Sequence, residues 1–377
     1  MTLHVARLCP EYYTGKAFNR GLTLNLYYLI RELEKLGVHH HLFTPKTNAD
    51  HQGTIPITTI PLRGRFTIYR QGIDAYHTFQ THKKYNYDLI HTHNYGFFNL
   101  YRYKKKLNKP MIHSIHGSPF DIKYHPLHSF RHFKEMMYAY LFTKYIVKRA
   151  DAIIVMTMNY KRDMVKYYHT DPAKIHFIPP QVDAKLFMPK QCQKDIDLLY
   201  TGRFVTLKQV PFAVEVTRIL KQTKPDISTY FVGGGPGDEQ YHEVIALIKK
   251  HKLEHNITIV PPVDHKKLVE YYNRSKVNQF VALSHGVGKT ILESMACGVP
   301  YVTNMHPAEG KASFTNKEGY ASLPLKPDVF AEKILTLLED EPLRRKLGNA
   351  ARKKVETYYT PQVTAKKTRK IYDNALS

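Results

Sequence analysis

Two fixed cations lie close together in residues 201–208, directly after a short apolar run. Arg203 and Lys208 are five positions apart. Arginine presents a planar fork of N–H donors and lysine a compact charge, so such a pair can bind a diphosphate and stabilise it as a leaving group without a metal ion. Taken alone the pair is a weak signal, because Gly-Arg turns and exposed lysines are common in loops.

Residues 284–303 have the composition of an anion-binding helix start. Gly286 and Gly288 leave room for a ligand to approach the backbone, and the helix predicted from Lys289 presents N–H groups that have no intrahelical partner. Glu293 lies one turn later on the same face as Lys289, where its carboxylate can accept from two ribose hydroxyls. Each feature alone also fits an ordinary loop and helix cap, but the combination favours a nucleotide.

The surrounding elements alternate between short apolar runs and helical stretches. Residues 2–9, 22–36 and 38–43 predict a first strand–helix–strand unit, and the same pattern recurs along the chain. The pattern breaks after residues 178–183, where paired prolines and a stretch rich in Lys, Gln and Asp up to 197 make continuous helix or sheet improbable. It restarts with a strand at 197–200. We therefore expect an α/β protein with two doubly wound domains, whose ligands bind at the carboxyl ends of the strands.

Size and composition agree with two domains and restrict the partners. A chain of 377 residues is longer than one hydrophobic core usually grows. No apolar run is long enough to span a bilayer, residues 1–8 do not resemble a secretion signal, and three dispersed cysteines predict a reducing cytosol. The 56 Lys and Arg residues exceed the 32 Asp and Glu residues, giving a net charge of +24 that predicts an anionic partner.

Basic and aromatic side chains are interleaved in a helix predicted over residues 129–149, which follows a basic run at 102–109. One interpretation is a solvated helix face opposite an aromatic core face. A second is a surface that contacts anionic lipid headgroups. A third is nucleic-acid binding, although no recognised nucleic-acid motif accompanies the charge.

The order and spacing of these motifs resemble those of the family 4 retaining glycosyltransferases. The shared segments run over nearly the whole chain: the Gly15 loop, 88–93, 116–117, 151–157, 178–183, 202–208, 232–236 and 284–303. The resemblance implies the GT-B fold, in which two facing Rossmann-like domains enclose the active cleft. It also implies an acceptor-side domain at 1–185, a nucleotide-sugar domain at 186–356 and a helix at 357–377 that crosses back to the first domain.

The resemblance implies catalytic roles for three residues. Arg203 and Lys208 match the cations on the donor diphosphate, and His116 matches the histidine that contacts the transferred sugar. The remaining matches are donor-binding positions: Gly15 beside the diphosphate, Val263 at the nucleobase, Glu293 at the ribose, and His285, Gly286, Gly288, Lys289 and Thr290 around the helix start.

The implied reaction moves a sugar, with retention, from a nucleotide-diphosphate sugar, which we expect to be a UDP-sugar, to a hydroxyl of a glycan, glycolipid or lipid-linked precursor. No cofactor, metal or nucleic acid is expected, and the expected location is the cytoplasm or the inner face of a membrane. Loops at 10–21, 62–75 and 117–132 are expected to form the acceptor pocket.

Two positions depart from the family pattern. His285 stands eight residues before Glu293, where the family commonly has glutamate, and Gln209 follows Lys208 in place of glycine. The lost carboxylate normally contacts the donor sugar. An impaired enzyme that binds nucleotide sugars or glycans therefore remains the alternative to an active transferase.

Overall fold

The computed structural model describes residues 2–12, 21–45, 55–61, 67–81, 86–116, 130–283, 288–305 and 314–377. The chain divides into two compact units, one formed by Met1–Pro179 with Pro361–Ser377 and the other by Pro180–Thr360. The sequence placed the corresponding boundaries after 185 and after 356. Within the described residues, no helix is both long and apolar enough to span a bilayer.

The first unit contains a parallel sheet of seven strands in the order β3-β2-β1-β4-β5-β6-β7. Its strands are β1 (Leu3–Leu8), β2 (Val38–Thr44), β3 (Ile57–Thr59), β4 (Leu89–His93), β5 (Met111–Ile115), β6 (Ala152–Val155) and β7 (Ile175–Phe177). Its first helices are α1 (Gly21–Glu34), α2 (Thr67–Thr81), α3 (Lys104–Leu107), α4 (Phe130–Val147) and α5 (Met158–Tyr168). The central strands are buried along their length, as expected where helices cover both faces of a sheet.

Helix α2 corrects the expectation of a loop at 62–75 for residues 67–75, the part of that segment that the structure describes. It packs against a 3-10 segment, Tyr95–Tyr103, so closely that a Cβ on Gly72 would lie 2.4 Å from the backbone nitrogen of Leu100. Glycine in this helix therefore permits a close contact between backbones and does not mark a turn.

The second unit contains a parallel sheet of six strands in the order β10-β9-β8-β11-β12-β13. Its strands are β8 (Ile196–Thr201), β9 (Thr229–Val232), β10 (Ile257–Val260), β11 (Ser275–Phe280), β12 (Tyr301–Thr303) and β13 (Gly319–Tyr320). Its helices are α6 (Val210–Thr223), α7 (Tyr241–Lys250), α8 (Leu268–Arg274), α9 (Lys289–Ala296), α10 (Pro327–Glu339) and α11 (Glu341–Tyr358).

The chain then returns to the first unit in α12 (Pro361–Leu376). Ala365, Ile371 and Tyr372 of this helix are buried in one cluster with Leu3 and Leu89 of the central strands. The closing helix is therefore part of the first unit's hydrophobic core.

Both sheets reverse their strand order at one point, between β1 and β4 in the first unit and between β8 and β11 in the second. Loops leave such a switch point in opposite directions and open a crevice at the carboxyl ends of the strands. In the second unit this places the loop after Thr201 beside the segment after Phe280. In the first unit, His93 ends β4 and His116 follows β5 at the same edge.

Candidate functional site

The loop after β8 carries Lys208 in a single 3-10 turn, Thr206–Lys208. Gly202 has a φ of 141°, and a Cβ built on it would lie 2.4 Å from Nζ of Lys208. The ammonium group therefore lies directly against the backbone at Gly202. Gln209, which replaces the family's glycine, has a φ of 48°, in the left-handed region that favours glycine.

The ring of Phe280, at the end of β11, connects this loop to the start of α9. Nζ of Lys208 lies 5.6 Å from the ring centroid, within the range of a cation–π interaction. On the other side, a Cβ on Gly288 would lie 2.2 Å from the same ring. The backbone N–H of Leu283 also donates to the carbonyl of Leu207 at 2.9 Å. These contacts hold the β8 loop beside the start of α9.

Two lysines at this point have unusually low pKa values. Burial lowers the pKa of Lys208 to about 8; the negative charge of Glu293 opposes the shift and the positive charge of Arg203 adds to it. Burial likewise lowers the pKa of Lys289 to about 8, although the negative charges of Glu293 and Asp183 oppose the shift. Arg203 itself is exposed. Both ammonium groups are mostly charged at pH 7 and are poorly hydrated, which favours pairing with an anion.

Glu293 is a buried carboxylate with two protein donors. Its Oε1 lies 2.7 Å from Nε2 of His265, and its Oε2 accepts from the hydroxyl of Tyr272 at 3.0 Å. Burial alone would raise the pKa of Glu293, but the hydrogen bond and charge of His265, together with Lys289 and Tyr272, hold the pKa below its ordinary value. The group is therefore ionised at neutral pH, and each oxygen keeps a lone pair for a further donor such as a ribose hydroxyl.

The loop after β10 positions His265. Asp264 caps a 3-10 turn, His265–Lys267, by accepting from the backbone N–H of Lys266 at 2.9 Å. Val263 immediately precedes the cap and is half-buried. The loop expected to contact the nucleobase is thus attached to the carboxylate expected to contact the ribose.

The start of α9 offers further donors. Gly288 at the start of the helix supplies no side-chain hydrogen bond, and N–H groups in the first turn of a helix have no intrahelical partner, which suits them to an anion. The hydroxyl of Thr290 is buried and has no partner among the residues that the structure describes. Gly15, His285 and Gly286 lie outside the described residues.

His116 belongs to the first unit, where it is the last member of a buried series of hydrogen-bonded side chains. Nη1 of Arg7 lies 2.9 Å from Nε2 of His93, and Nδ1 of His93 lies 2.8 Å from Nε2 of His116. Burial, together with the positive charge of Arg7, lowers the pKa of His116 to about 4, so its imidazole is neutral at pH 7.

Comparison with protein families accounts for both units. The model described as Glycosyltransferase Family 4 matches residues 20–186, and the model described as Glycosyl transferases group 1 matches residues 185–354. The chain belongs to glycosyltransferase family 4. As a family 4 glycosyltransferase, it is a retaining enzyme that takes its sugar from a nucleotide sugar.

Several relatives of this glycosyltransferase are distant but extend over nearly its whole length. A D-inositol 3-phosphate glycosyltransferase of Kineococcus radiotolerans is 23% identical, with 94% of this chain and 91% of the relative covered. Among solved structures, sucrose-phosphate synthase from Thermosynechococcus elongatus has a TM-score of 0.79 at 20% identity, covering 99% of this chain and 98% of that one. HepE from Anabaena, solved with UDP-glucose, has a TM-score of 0.78 at 14% identity, covering 99% and 100%. These structures identify the fold as GT-B, with two Rossmann-like sheets.

Some predicted site residues of the glycosyltransferase lie together, and some of their partners were not foreseen. The second unit brings Arg203, Lys208, Gly288, Lys289, Thr290 and Glu293 to one switch point, with Val263 on an adjoining loop. Sequence reasoning missed His265, Tyr272, Arg7 and His93. Only His265 had a local signal, the capping aspartate that precedes it; the other three acquire their contacts from residues far away in the sequence.

Proposed function

We propose that this enzyme transfers a sugar from a UDP-sugar to a hydroxyl of a glycan, glycolipid or lipid-linked acceptor. The observation that carries the proposal is the cluster of two poorly hydrated lysines and one ionised carboxylate at the switch point of the second unit. The lysines suit a diphosphate and Glu293 suits a ribose. The Anabaena structure with UDP-glucose supports uridine as the base.

In the proposed reaction, the acceptor oxygen attacks the anomeric carbon from the face that the diphosphate leaves. The new C–O bond forms as the bond from the sugar to the phosphate breaks, and the acceptor proton moves to the departing phosphate oxygen. Lys208 and Arg203 stabilise the developing negative charge, and His116 contacts the transferred sugar. This catalysis depends on positioning and electrostatics.

We also propose that transfer needs no divalent metal, because the two lysines and Arg203 supply positive charge where a metal would otherwise neutralise the diphosphate. The reaction should therefore proceed at the same rate with excess EDTA. Activity that is lost with EDTA and restored by Mg²⁺ or Mn²⁺ would show that these cations are insufficient.

The experiment for the whole proposal is a panel of nucleotide sugars, with release of nucleoside diphosphate as the readout. Uridine sugars should give release that depends on Lys208, and guanosine and adenosine sugars should give little. Release from none of them, with no binding of UDP, would exclude the proposal. UDP-sugar binding without release, with turnover restored by His285→Glu, would favour the impaired enzyme instead.

We further propose that the enzyme works while attached to an anionic membrane at its cytoplasmic face, through α4. Four apolar side chains on this helix are exposed to solvent, by 42%, 40%, 52% and 48%: Phe133, Met137, Tyr138 and Leu141. The helix is anchored to the first unit by Phe142, which stacks on Phe98 with a centroid distance of 3.8 Å.

Positive charge adjoins this apolar surface. Lys148 and Arg149 are exposed at the end of α4, and Lys104 donates to the carbonyl of Arg149 at 2.7 Å, which brings the exposed Lys105 and Lys106 to the same place. Apolar side chains beside lysines and arginines suit the boundary between headgroups and acyl chains.

Vesicle co-sedimentation tests the membrane proposal. The protein should bind phosphatidylcholine vesicles that contain phosphatidylglycerol and should bind pure phosphatidylcholine far less. Phe133→Ser with Leu141→Ser should weaken binding about tenfold or more, from lost apolar burial, whereas Leu325→Ser, at an equally exposed leucine of the second unit, should not. Unchanged binding of the double variant would contradict a role for α4.

A further inference from the structure

Arg7 is a fully buried cation with no acidic partner among the residues that the structure describes. Its side chain in β1 has a relative exposure of 0%, and no carboxylate in the described chain forms an ion pair with it. Its donors meet neutral groups instead: Nη1 lies 2.9 Å from Nε2 of His93, Nη2 donates to the hydroxyl of Tyr372 at 2.5 Å, and Nε approaches Nδ1 of His40 at 3.5 Å. Burying a charge is costly, so the groups around a buried cation must present hydrogen-bond acceptors to it.

The chemistry of arginine determines the direction of the hydrogen bonds. Guanidinium only donates and does not lose its proton in proteins, so Nε2 of His93 must accept. A neutral imidazole carries one N–H, which for His93 must then be on Nδ1. Burial and the positive charge of Arg7 keep the pKa of His93 well below its ordinary value, which makes the neutral form the relevant one.

The hydrogen bond between His93 and His116 has a fixed direction as well. Nδ1 of His93 lies 2.8 Å from Nε2 of His116, and since His93 is the donor, Nε2 of His116 must accept. The reverse direction would leave His93 with no proton at all. Neutral His116 therefore carries its proton on Nδ1, an atom that has no hydrogen-bond partner among the described residues.

We propose that Arg7 is a positioning residue that acts through His93 to fix His116 as an Nδ1–H hydrogen-bond donor. Resting on the proposed function, this assigns the imidazole its part in recognition: it donates to an oxygen of the transferred sugar. It does not remove a proton from the acceptor, because Nε2 is engaged and Nδ1 is already protonated. The acceptor proton is left to the diphosphate oxygen.

The test is a long-range 1H–15N correlation spectrum of protein labelled with 15N at histidine, recorded at pH 7 without any nucleotide sugar. His93→Gln and His116→Gln spectra assign the two rings among the 22 histidines. Both rings should give the Nδ1–H pattern. An Nε2–H or a doubly protonated pattern for either ring would overturn the proposal, whatever the enzyme does with sugars.

Variants connect the tautomer to turnover. In Arg7→Met, the two rings should no longer be held in the Nδ1–H form, so that pattern should be lost from both. We expect kcat to fall by ~10- to 100-fold, as loss of an orienting partner does elsewhere. The KM for the donor should change far less. Tyr372→Phe, which removes a different partner of Arg7, should leave both patterns in place. If Arg7→Met changed the turnover but not the patterns, the proposal would fail. A wild-type protein that shows both patterns but no transfer would support the positioning role of Arg7 and count against the proposed function.

Discussion

Lys208 and Lys289 are charged but poorly hydrated, and this is the residue property on which donor binding is expected to depend. Each has a pKa of about 8 in the folded protein, below the ordinary value of 10.5, because burial disfavours the ammonium form. Between pH 8 and 10.5 the unfolded chain binds more protons at these sites than the folded chain does. Their contribution to the free energy of unfolding therefore increases as the pH rises through that range.

Affinity for UDP should show the opposite trend, because binding needs the charged form. From pH 7 to pH 9, the dissociation constant should increase about tenfold for each lysine that must be protonated. Calorimetric titration at several pH values measures this. Lys208→Met should bind more weakly at pH 7 and show a smaller increase, whereas a dissociation constant that is independent of pH in the wild type would contradict the assignment.

Removing the ammonium at position 208 should separate activity from stability. Lys208→Ala should lower turnover ~10²-fold or more, as loss of a charge-stabilising donor does in other enzymes, while the thermal midpoint changes little because a poorly hydrated charge is removed. Lys250→Ala, at an exposed lysine of α7, is the matched control and should keep full turnover. A Lys208→Ala protein with wild-type turnover would eliminate this residue from the mechanism.

At the scale of elements, the loop after β8 is the most sensitive segment, because its backbone and the ammonium group share one space. Gly202→Ala places a methyl group 2.4 Å from Nζ of Lys208 at a φ of 141°. We expect a loss of ~1–3 kcal/mol in the free energy of unfolding and an increase of about tenfold or more in the dissociation constant for UDP, equivalent to ~1.4 kcal/mol.

Gly237→Ala is the control for that substitution. A Cβ at Gly237 would meet nothing within 4 Å, so we expect a change within ~0.5 kcal/mol and an unaltered affinity. Denaturant titration and calorimetry measure the two effects. Equal behaviour of the two alanine variants would mean that the packing at Gly202 does not position the lysine.

The elements that sequence reasoning predicted well are those whose pattern is local. The strands predicted at 2–9, 38–43 and 197–200 are short apolar runs, and the bounds of β1, β2 and β8 lie within one residue of the predicted ones. Helix α2 was missed because Gly72 and the polar Gln71 and Asp74 suggest a loop, whereas all three are explained by close packing or burial. Such long-range contacts leave no periodic signal.

The residues of the candidate site also divide into those with a local sequence signal and those placed by long-range contacts. Arg203, Lys208 and Glu293 were predictable from motif spacing, because each lies on the turn or helix that follows a strand. The partners of Glu293 were not, since His265 and Tyr272 approach it from other elements. His91 and His93 are both buried, and their hydrogen-bond partners also come from other elements.

At the scale of the whole molecule, α12 makes the end of the chain part of the first unit. Deleting residues 361–377 removes Ala365, Ile371 and Tyr372 from the core cluster and exposes Leu3 and Leu89 to water. We expect faster hydrogen exchange in β1 and β4 and unchanged exchange in β8 and β11, which serve as the internal control. Unchanged protection of β1 would mean that the helix is dispensable for the first unit.

We expect the second unit to bind the diphosphate of the donor through its cations and the ribose through its buried carboxylate. A crystal structure of the protein with UDP tests this most directly. Phosphate oxygens should lie within hydrogen-bond distance of Nζ of Lys208 and of the first N–H groups of α9, with a ribose hydroxyl on Glu293. UDP bound at another edge of the sheet, or with Lys208 directed away from its phosphates, would contradict this expectation.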